Sequence, residues 1–469
     1  MRSRDAVRVL FVGLIVASAF VVGSGYLSAE SSASVNGRPA FDAPSADGIT
    51  VVATDSNTWM GKASDGPRAR AELVAFRSNG SVLYYDDTHT RYWDVDPVKN
   101  ESRTVEYVAA DHLNASECHA TTPCTRNVVE RVNLSTGEVT ELYARITPRK
   151  HSTRWHDVDR VSEDRLAVAD IAQDRVYVVN TTTGLVEWSW DAQSEYPLKG
   201  GGPYPEDWTH INDVSVLEDG TLMVSMRNQD QVVFLDRETG LVENRTLGED
   251  GRHDIIYEQH NPDYINESNG GPAVLIGDSE NNRVIEYQRE DGEWNQSWVW
   301  QDARMQWPRD ADRLPNGHTL ITDSNGNRVF EVNEQGEVVW SVDVAFPYEA
   351  ERLGTGDEST GGPSAAKADL QSKTGGASST GSAAAAGGDV TTQSEKPGVL
   401  DKTWAVVRGL LPGRTANALM YVTPVWMGGP EVLALGAIVV TLLVWLLAEL
   451  YWSPWSASFS KPVSISRRR

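Results

Sequence analysis

An all-β fold, a six-bladed β-propeller with a transmembrane helix at each end, is what this sequence predicts. Two observations point to the propeller and a third to the helices. A unit of four short strands recurs, and its turn glycines, Gly137, Gly184, Gly240, Gly292 and Gly336, are spaced 47, 56, 52 and 44 residues apart. Short strands at that period suit propeller blades and not a helical solenoid. Val, Ile, Tyr, Phe and Trp dominate the runs between turns, with no helical periodicity. Apolar runs occupy residues 9–23 and 432–450, and the second is long enough to cross a bilayer.

Taken in order, residues 1–26 form an N-terminal anchor or signal segment. Arg2, Arg4 and Arg8 precede its apolar run, as in a cleaved signal peptide or an uncleaved anchor. Residues 27–48 are small and polar, a tether. The propeller is expected over residues 49–347. Its clearest repeats begin at Arg165, Thr221, Ala273 and Thr319, and two divergent ones at Glu72 and Asn127, which makes six. Trp188, Trp190, Trp298, Trp300 and Trp340 stand near blade ends and are expected to pack between blades. Residues 348–400, rich in Gly, Ser and Ala, read as a flexible linker. A juxtamembrane segment follows over 401–430, then the transmembrane helix over 431–452 and a basic cytoplasmic tail over 453–469. Tyr451, Trp452 and Trp455 make an interfacial belt at the end of the span.

Positive charge outside both apolar runs places the termini in the cytoplasm and the large domain outside, at the cell membrane. Two features agree. Glycosylation sequons at Asn79, Asn100, Asn114, Asn133, Asn180, Asn244, Asn266 and Asn295 all lie between the runs. The two cysteines, Cys118 and Cys124, lie in CHATTPC, and an oxidising exterior would let them close a small loop; two unpaired thiols is the alternative. Their spacing is not that of a zinc knuckle. The chain carries 66 Asp+Glu against 42 Lys+Arg, a formal net charge of −24, and few of its bases are Lys. Such an acid excess suits a solvated surface in high salt, as in a halophile. It excludes nucleic acid, whose phosphates would be repelled.

The candidate site comes from comparing repeats. The innermost strand of a propeller blade begins beside the central channel, so residues at one phase of successive blades converge there. His156 opens HDVDRV, His210 and Asn212 open HIND, His260 opens HNPDYI, and Arg309 opens RDADRL. With Asp157, Asp213 and Asp310 equivalent, His156, Asn212 and Arg309 share one phase, and His210 lies two residues earlier on the same face. Arg227 is an outlier, because its sister positions hold Ile171, Ser279 and Ser324. A guanidinium there offers a planar fork for sulfate, phosphate or carboxylate. A lone strand histidine is more often a structural hydrogen-bonder. Three in register beside an arginine found in one blade favour a site. Three histidines are also a zinc set, but Arg227 would repel a cation, so no metal is expected. No GxSxG elbow supports a serine hydrolase. The Asp170, Asp278 and Asp323 series reads as structural, and His89, His112, His119, His151, His253 and His318 as surface or turn residues.

DWTHIN, then SMRNQD, then EQHN followed by VIEYQREDGEWNQSWVW, resembles the bacterial arylsulfate sulfotransferases, with His156 in RWHDV matching an earlier blade. The resemblance covers roughly residues 49–344 and is strongest from Trp155 onward. It implies a six-bladed propeller enzyme outside the cytoplasm that moves a sulfuryl group from an aryl sulfate donor to a phenolic or other hydroxyl acceptor, without a nucleotide donor or other cofactor. On it, His260 is the nucleophile that forms a sulfohistidine, and His210, Arg227 and His156 complete the catalytic set. Arg227 and Asn212 would hold the sulfuryl oxygens, and His210 would protonate the departing phenoxide. The chain departs from the family in its divergent N-terminal blades, its C-terminal span and the Asn-Pro after His260. A non-catalytic extracellular propeller that binds a glycan, polymer or partner protein is the alternative. A redox propeller holding a quinone lacks supporting residues.

Overall fold

The computed structural model describes residues 3–31, 43–55, 71–149, 153–374, 398–453, 455–458 and 464–467. Much of the expected tether, the core of the Gly/Ser/Ala-rich linker, His151 and parts of the basic tail lie outside the described residues.

Six antiparallel sheets follow one another around an axis. From the innermost strand outward, blade 2 is Arg91–Pro97, Thr104–Leu113, Cys124–Asn133 and Glu138–Pro148. Blade 3 is Trp155–Ser162, Arg165–Asp170, Arg175–Asn180 and Val186–Asp191. Blade 4 is Ile211–Val216, Leu222–Met226 and Gln231–Asp236, edged by Gly240–Leu241 and Leu247–Gly248. Blade 5 is His260–Ile265, Ala273–Asp278, Arg283–Glu290 and Glu293–Trp300. Blade 6 is Pro308–Arg313, Thr319–Asp323, Arg328–Val332 and Val338–Asp343. Blade 1 is built from both ends of the domain: Pro347–Leu353 is its innermost strand, paired to Ile49–Thr54, then Leu73–Phe76 and Val82–Asp86.

That last pairing corrects the expected domain boundary. The chain read as linker from residue 348 is a buried strand to Leu353. Residues 354–374 then continue across blades 5 and 6. Ser359 Oγ accepts from the Arg313 backbone N–H at 2.6 Å and donates to Asp263, and Ala365 N–H of the one-turn helix α2 (Ala365–Ala368) donates to Glu286 at 2.9 Å.

The repeat pattern succeeds because the blade is an amphipathic ladder. Six apolar clusters among the described residues fill the six blade interfaces, each drawing on two neighbouring blades. Trp190, Trp298, Trp300 and Trp340 are buried in these clusters, as expected. The five turn glycines all sit at φ between 70° and 88°, where a side chain would be strained.

Two sequence readings fail on burial. Asn180 is buried and ends a strand, its amide donating to Asp164 and its oxygen accepting from Thr182 and Thr183 N–H, so it cannot carry a glycan in the folded domain. Asn79, Asn100, Asn114, Asn244 and Asn295 are exposed, and Asn133 and Asn266 half-buried. Cys118 and Cys124 form a disulfide. His89 and His112 are not surface residues but buried in blade 2. Burial alone would lower the His89 pKa, but Asp111 at 3.3 Å and Glu130 at 3.0 Å outweigh it and push it up to about 9. A pKa raised in the folded state stabilises below the ordinary histidine value and loses that contribution as pH rises through the folded one. His89→Gln is therefore expected to cost roughly 3 kcal/mol at pH 6 and far less at pH 10, read by denaturant titration at both pH values.

Two terminal helices are long and apolar enough to cross a membrane: α1 (Ser3–Ser31) and α5 (Gly429–Trp452). They lie side by side and antiparallel, with Arg8 on Glu449 at 2.6 Å at one end and Tyr26 on Trp426 at the other. Between propeller and α5 the expected juxtamembrane segment forms two helices, α3 (Val399–Gly409) and α4 (Gly413–Val422), which pack on the propeller.

Candidate active site

All six innermost strands carry a carboxylate at one equivalent position: Asp94, Asp157, Asp213, Asp263, Asp310 and Glu349. Most of these reach sideways to the next blade. Asp94 accepts from Val158 N–H at 3.1 Å, Asp157 from Val214 N–H, Asp310 from Ala350 N–H at 3.1 Å and Glu349 from Val95 N–H at 2.9 Å. The acid ring thus laces the blades together around the channel. Burial pushes Asp157 and Asp310 up to about 7 against the N–H groups that hold them.

Every innermost strand also carries a β-bulge just before its acid. A bulge re-aims side chains, and here it does so at the same level in all six blades. One residue before the acid stand Trp93, His156, Asn212, Pro262, Arg309 and Tyr348; three before it stand Arg91, Arg154, His210, His260, Trp307 and Phe346. The candidate site is made from these two rings.

The segments that lead into the strands are pinned by the preceding blade. Asp174 accepts from Thr209 N–H at 2.9 Å, Asp230 from Glu258 N–H at 2.9 Å, Asn282 from Trp307 N–H at 3.0 Å and Asn327 from Phe346 N–H at 3.1 Å. These four acceptors sit at φ between 51° and 55°, a left-handed turn position that Asp and Asn tolerate. In blade 2, Asn127 does the same for Trp155 N–H. The Asp170, Asp278 and Asp323 series is structural as expected, each bonded to an arginine and a backbone N–H.

The rings bring the three histidines together. His156 lies 5.2 Å from His210 between ring centroids, and Tyr348 stands between His156 and His260, at 5.5 and 6.0 Å. Trp93 stacks on His156 at 4.8 Å and Trp307 meets His260 edge-on at 6.0 Å. All three histidines are buried. Burial, then the fields of Arg309, Arg227 and His210, hold His260 well below the usual histidine range. Burial and then His210, Arg154 and Arg309 do the same to His156. For His210, burial outweighs Asp207, which would raise it, and Arg227 adds to the lowering. All three are neutral bases at neutral pH.

Hydrogen bonds fix which nitrogen is basic. Ser279 Oγ lies 2.8 Å from His260 Nδ1, and its single proton is directed to a backbone carbonyl, Pro308 O at 2.7 Å or Gly277 O at 3.2 Å. The serine oxygen must then accept from Nδ1–H, which leaves Nε2 as the base. His210 Nδ1 donates to Asp207 at 2.6 Å, with the same result. His156 Nδ1 pairs with the Tyr348 hydroxyl at 3.1 Å, and its Nε2 is buried without a hydrogen-bond partner.

Cations surround these bases. Arg227 is ion-paired to Glu258, which also takes Arg414 of α4 at 3.2 Å. Asp55 holds both Arg91 and Arg309, the latter at 3.1 Å, and Arg309 lies in a cage of Trp307, Phe346 and Tyr348. Arg154, against the face of Trp93, has an Nε without a hydrogen-bond partner. Five arginines thus stand with four carboxylates, Asp55, Asp207, Glu258 and Glu280, beside neutral imidazoles, a field suited to an anion.

Sequence reasoning placed His156, His210, His260, Arg227 and Arg309 here, and they converge. Asn212 stands in the same ring, fully buried, where it donates to Gln259 O at 3.0 Å and ties blade 4 to blade 5. The sequence reading missed Tyr348, Ser279, Arg154, Asp55 and Asp207.

The arylsulfotransferase (ASST) family model matches residues 151–345, the span from blade 3 to blade 6. No curated protein matches the chain significantly. Several solved structures align with about two thirds of the chain. A protein of unknown function from Bacteroides caccae has 9% identity and a TM-score of 0.42, covering 65% of this chain and 98% of its own. The periplasmic gluconolactonase of Pseudomonas aeruginosa has 13% identity and a TM-score of 0.40, covering 66% and 99%. A protein from Lactobacillus plantarum has 13% identity and a TM-score of 0.38, covering 65% and 98%. With the family match spanning the blades that supply His156, His210, Arg227, His260 and Arg309, the chain carries an arylsulfotransferase (ASST) domain over residues 151–345.

Proposed function

We propose that this domain transfers a sulfuryl group from an aryl sulfate to a hydroxyl acceptor through a sulfohistidine at His260. One observation carries the reading: Ser279 orders the His260 ring so that Nε2 is a neutral base among arginines that favour an anion. In the first half-reaction Nε2 forms the N–S bond as the S–O bond to the aryl group breaks, and the phenoxide leaves. Arg227 and Arg154 offset the negative charge on the sulfuryl oxygens and the leaving group. In the second half, the acceptor oxygen attacks sulfur, its proton passes to His210 Nε2, and the N–S bond breaks. His210 then releases that proton to water. With Nδ1–H committed to Asp207, neutral His210 acts as the base of the second step and not as the acid of the first.

The same reading places the propeller outside the cytoplasm, anchored by α5. The Cys118–Cys124 disulfide and the exposed sequons support that side. The excess of acid over base supports a high-salt setting.

The test is intact mass on the full-length protein in detergent and high salt, after mixing with 4-nitrophenyl sulfate. Gain of one sulfuryl group, discharged by added phenol, is the expected result. No gain and no nitrophenol release across several aryl sulfates would overturn the reading in favour of a binding propeller.

A further inference from the structure

The α3–α4 segment roofs the candidate site. Three residues on one face of α4, at i, i+3 and i+7, touch its surroundings. Arg414 pairs with Glu258, the partner of Arg227. Asn417 bonds Gln306 at 2.6 Å and Glu280 at 2.9 Å. Tyr421 meets Trp307 at 5.7 Å and Phe346 at 5.5 Å, both members of the ring that holds His260. In α3, Trp404 donates to Gln306 at 3.1 Å and lies against Gly429, the first residue of α5. The roof of the site is thereby joined to the apolar span.

Two further observations suit an amphiphile. On the outward side of α3 and the turn after it, Val399 and Leu410 are each 81% exposed and Val406 is 66% exposed, beside the exposed Lys402 and Thr403. Beside α3 runs a groove of about 730 Å³ in which Ala303, Ala405, Val406 and Leu411 form an apolar stretch, with Glu280, Asp302, Lys402 and Arg408 also in its lining. At His253 and Tyr257 it meets a cleft of about 250 Å³ lined by Asp207, Asn228, Glu258 and Arg414. Asp207 orients His210 and Glu258 holds Arg227. The groove therefore meets the cleft beside the groups that orient His210 and hold Arg227.

We infer that the acceptor is a membrane-resident amphiphile, a hydroxyl head group on a long hydrocarbon tail, taken from the bilayer through this groove. The inference rests on the sulfuryl-transfer reading. The tail lies along Val406 and Leu411 while the hydroxyl reaches the cleft, and α4 closes over the head.

The experiment uses full-length protein in phosphatidylcholine vesicles, wild type against the Val406→Asp/Leu411→Asp double variant. Transfer from 4-nitrophenyl sulfate is measured to 4-dodecylphenol in the vesicles and to phenol in water. Charge in the groove is expected to slow sulfation of dodecylphenol about tenfold or more and to leave that of phenol within about twofold. Equal effects on both acceptors, or sulfation of phenol but never of dodecylphenol, would overturn the inference. Retention of radiolabelled dodecylphenol by the detergent-solubilised protein is the second measurement, and it needs no turnover. If neither acceptor is sulfated, the transfer reading fails, and binding alone decides on the groove: about tenfold weaker retention by the variant supports it, equal retention overturns it.

Discussion

Replacing His260 by alanine is expected to reduce aryl sulfate turnover by roughly 10⁴-fold or more and to abolish the sulfuryl adduct. The His260 Nδ1 proton is directed to a hydroxyl already committed to a backbone carbonyl, so Nε2 is available as a nucleophile. In the proposed roles His210 Nε2 serves as the base of the second step, and the His156 ring is held by the Tyr348 hydroxyl. His210→Ala separates the two half-reactions. It should still release nitrophenol in a single burst and then stall, because the acceptor lacks its base, with steady turnover down roughly 10²- to 10⁴-fold. Rapid-mixing absorbance at the nitrophenolate band reads both. An adduct of undiminished amount on His260→Ala, with mass on another residue, would move the nucleophile elsewhere.

Arg227→Met is expected to lower kcat/KM roughly 10³-fold, comparable to loss of one preorganised charge-stabilising donor. The guanidinium is buried and ion-paired to Glu258, and its field acts on both His210 and His260. Removing it withdraws positive charge where the sulfuryl oxygens gather. It also leaves Glu258 with Arg414 alone, so some stability is lost as well. Arg227→Met/Glu258→Gln tells these effects apart. The added substitution should restore the melting temperature while the rate stays low, as shown by thermal unfolding beside the nitrophenol assay. Recovery of the rate with the stability would make Arg227 a structural ion pair.

How much of this was legible in the sequence follows from how a propeller uses its residues. The outer strands alternate apolar and polar side chains between blades, so the repeat and its glycine turns were plain. Outliers in a repeat are visible, so His156, His210, His260 and Arg227 could be found without a structure. The innermost strands face a polar channel and lose that alternation. PYEAERL, residues 347–353, is buried throughout yet reads as a polar connector, and Tyr348 was lost with it. Asp55 and Arg91 were missed for the same reason, belonging to blades whose repeats are divergent. Ser279 was visible only as a small residue opposite an arginine. Its role depends on one hydroxyl proton choosing a carbonyl, a matter of distance and not of sequence. Asn212 shares the phase of His156 and Arg309, and its amide also donates to Gln259 O of the next blade, a bond that no sequence pattern announces. Residues 354–374 were assigned by composition to linker, although Ser359 and Ser364 fasten them to polar groups of blades 5 and 6.

Because Pro347–Leu353 pairs with Ile49–Thr54, about 300 residues apart in the chain, the ring closes only after nearly the whole domain has been synthesised. Pairing at such separation makes closure a late and slow step of folding. Until it happens Ile49–Thr54 presents an open strand edge, able to pair with the wrong chain.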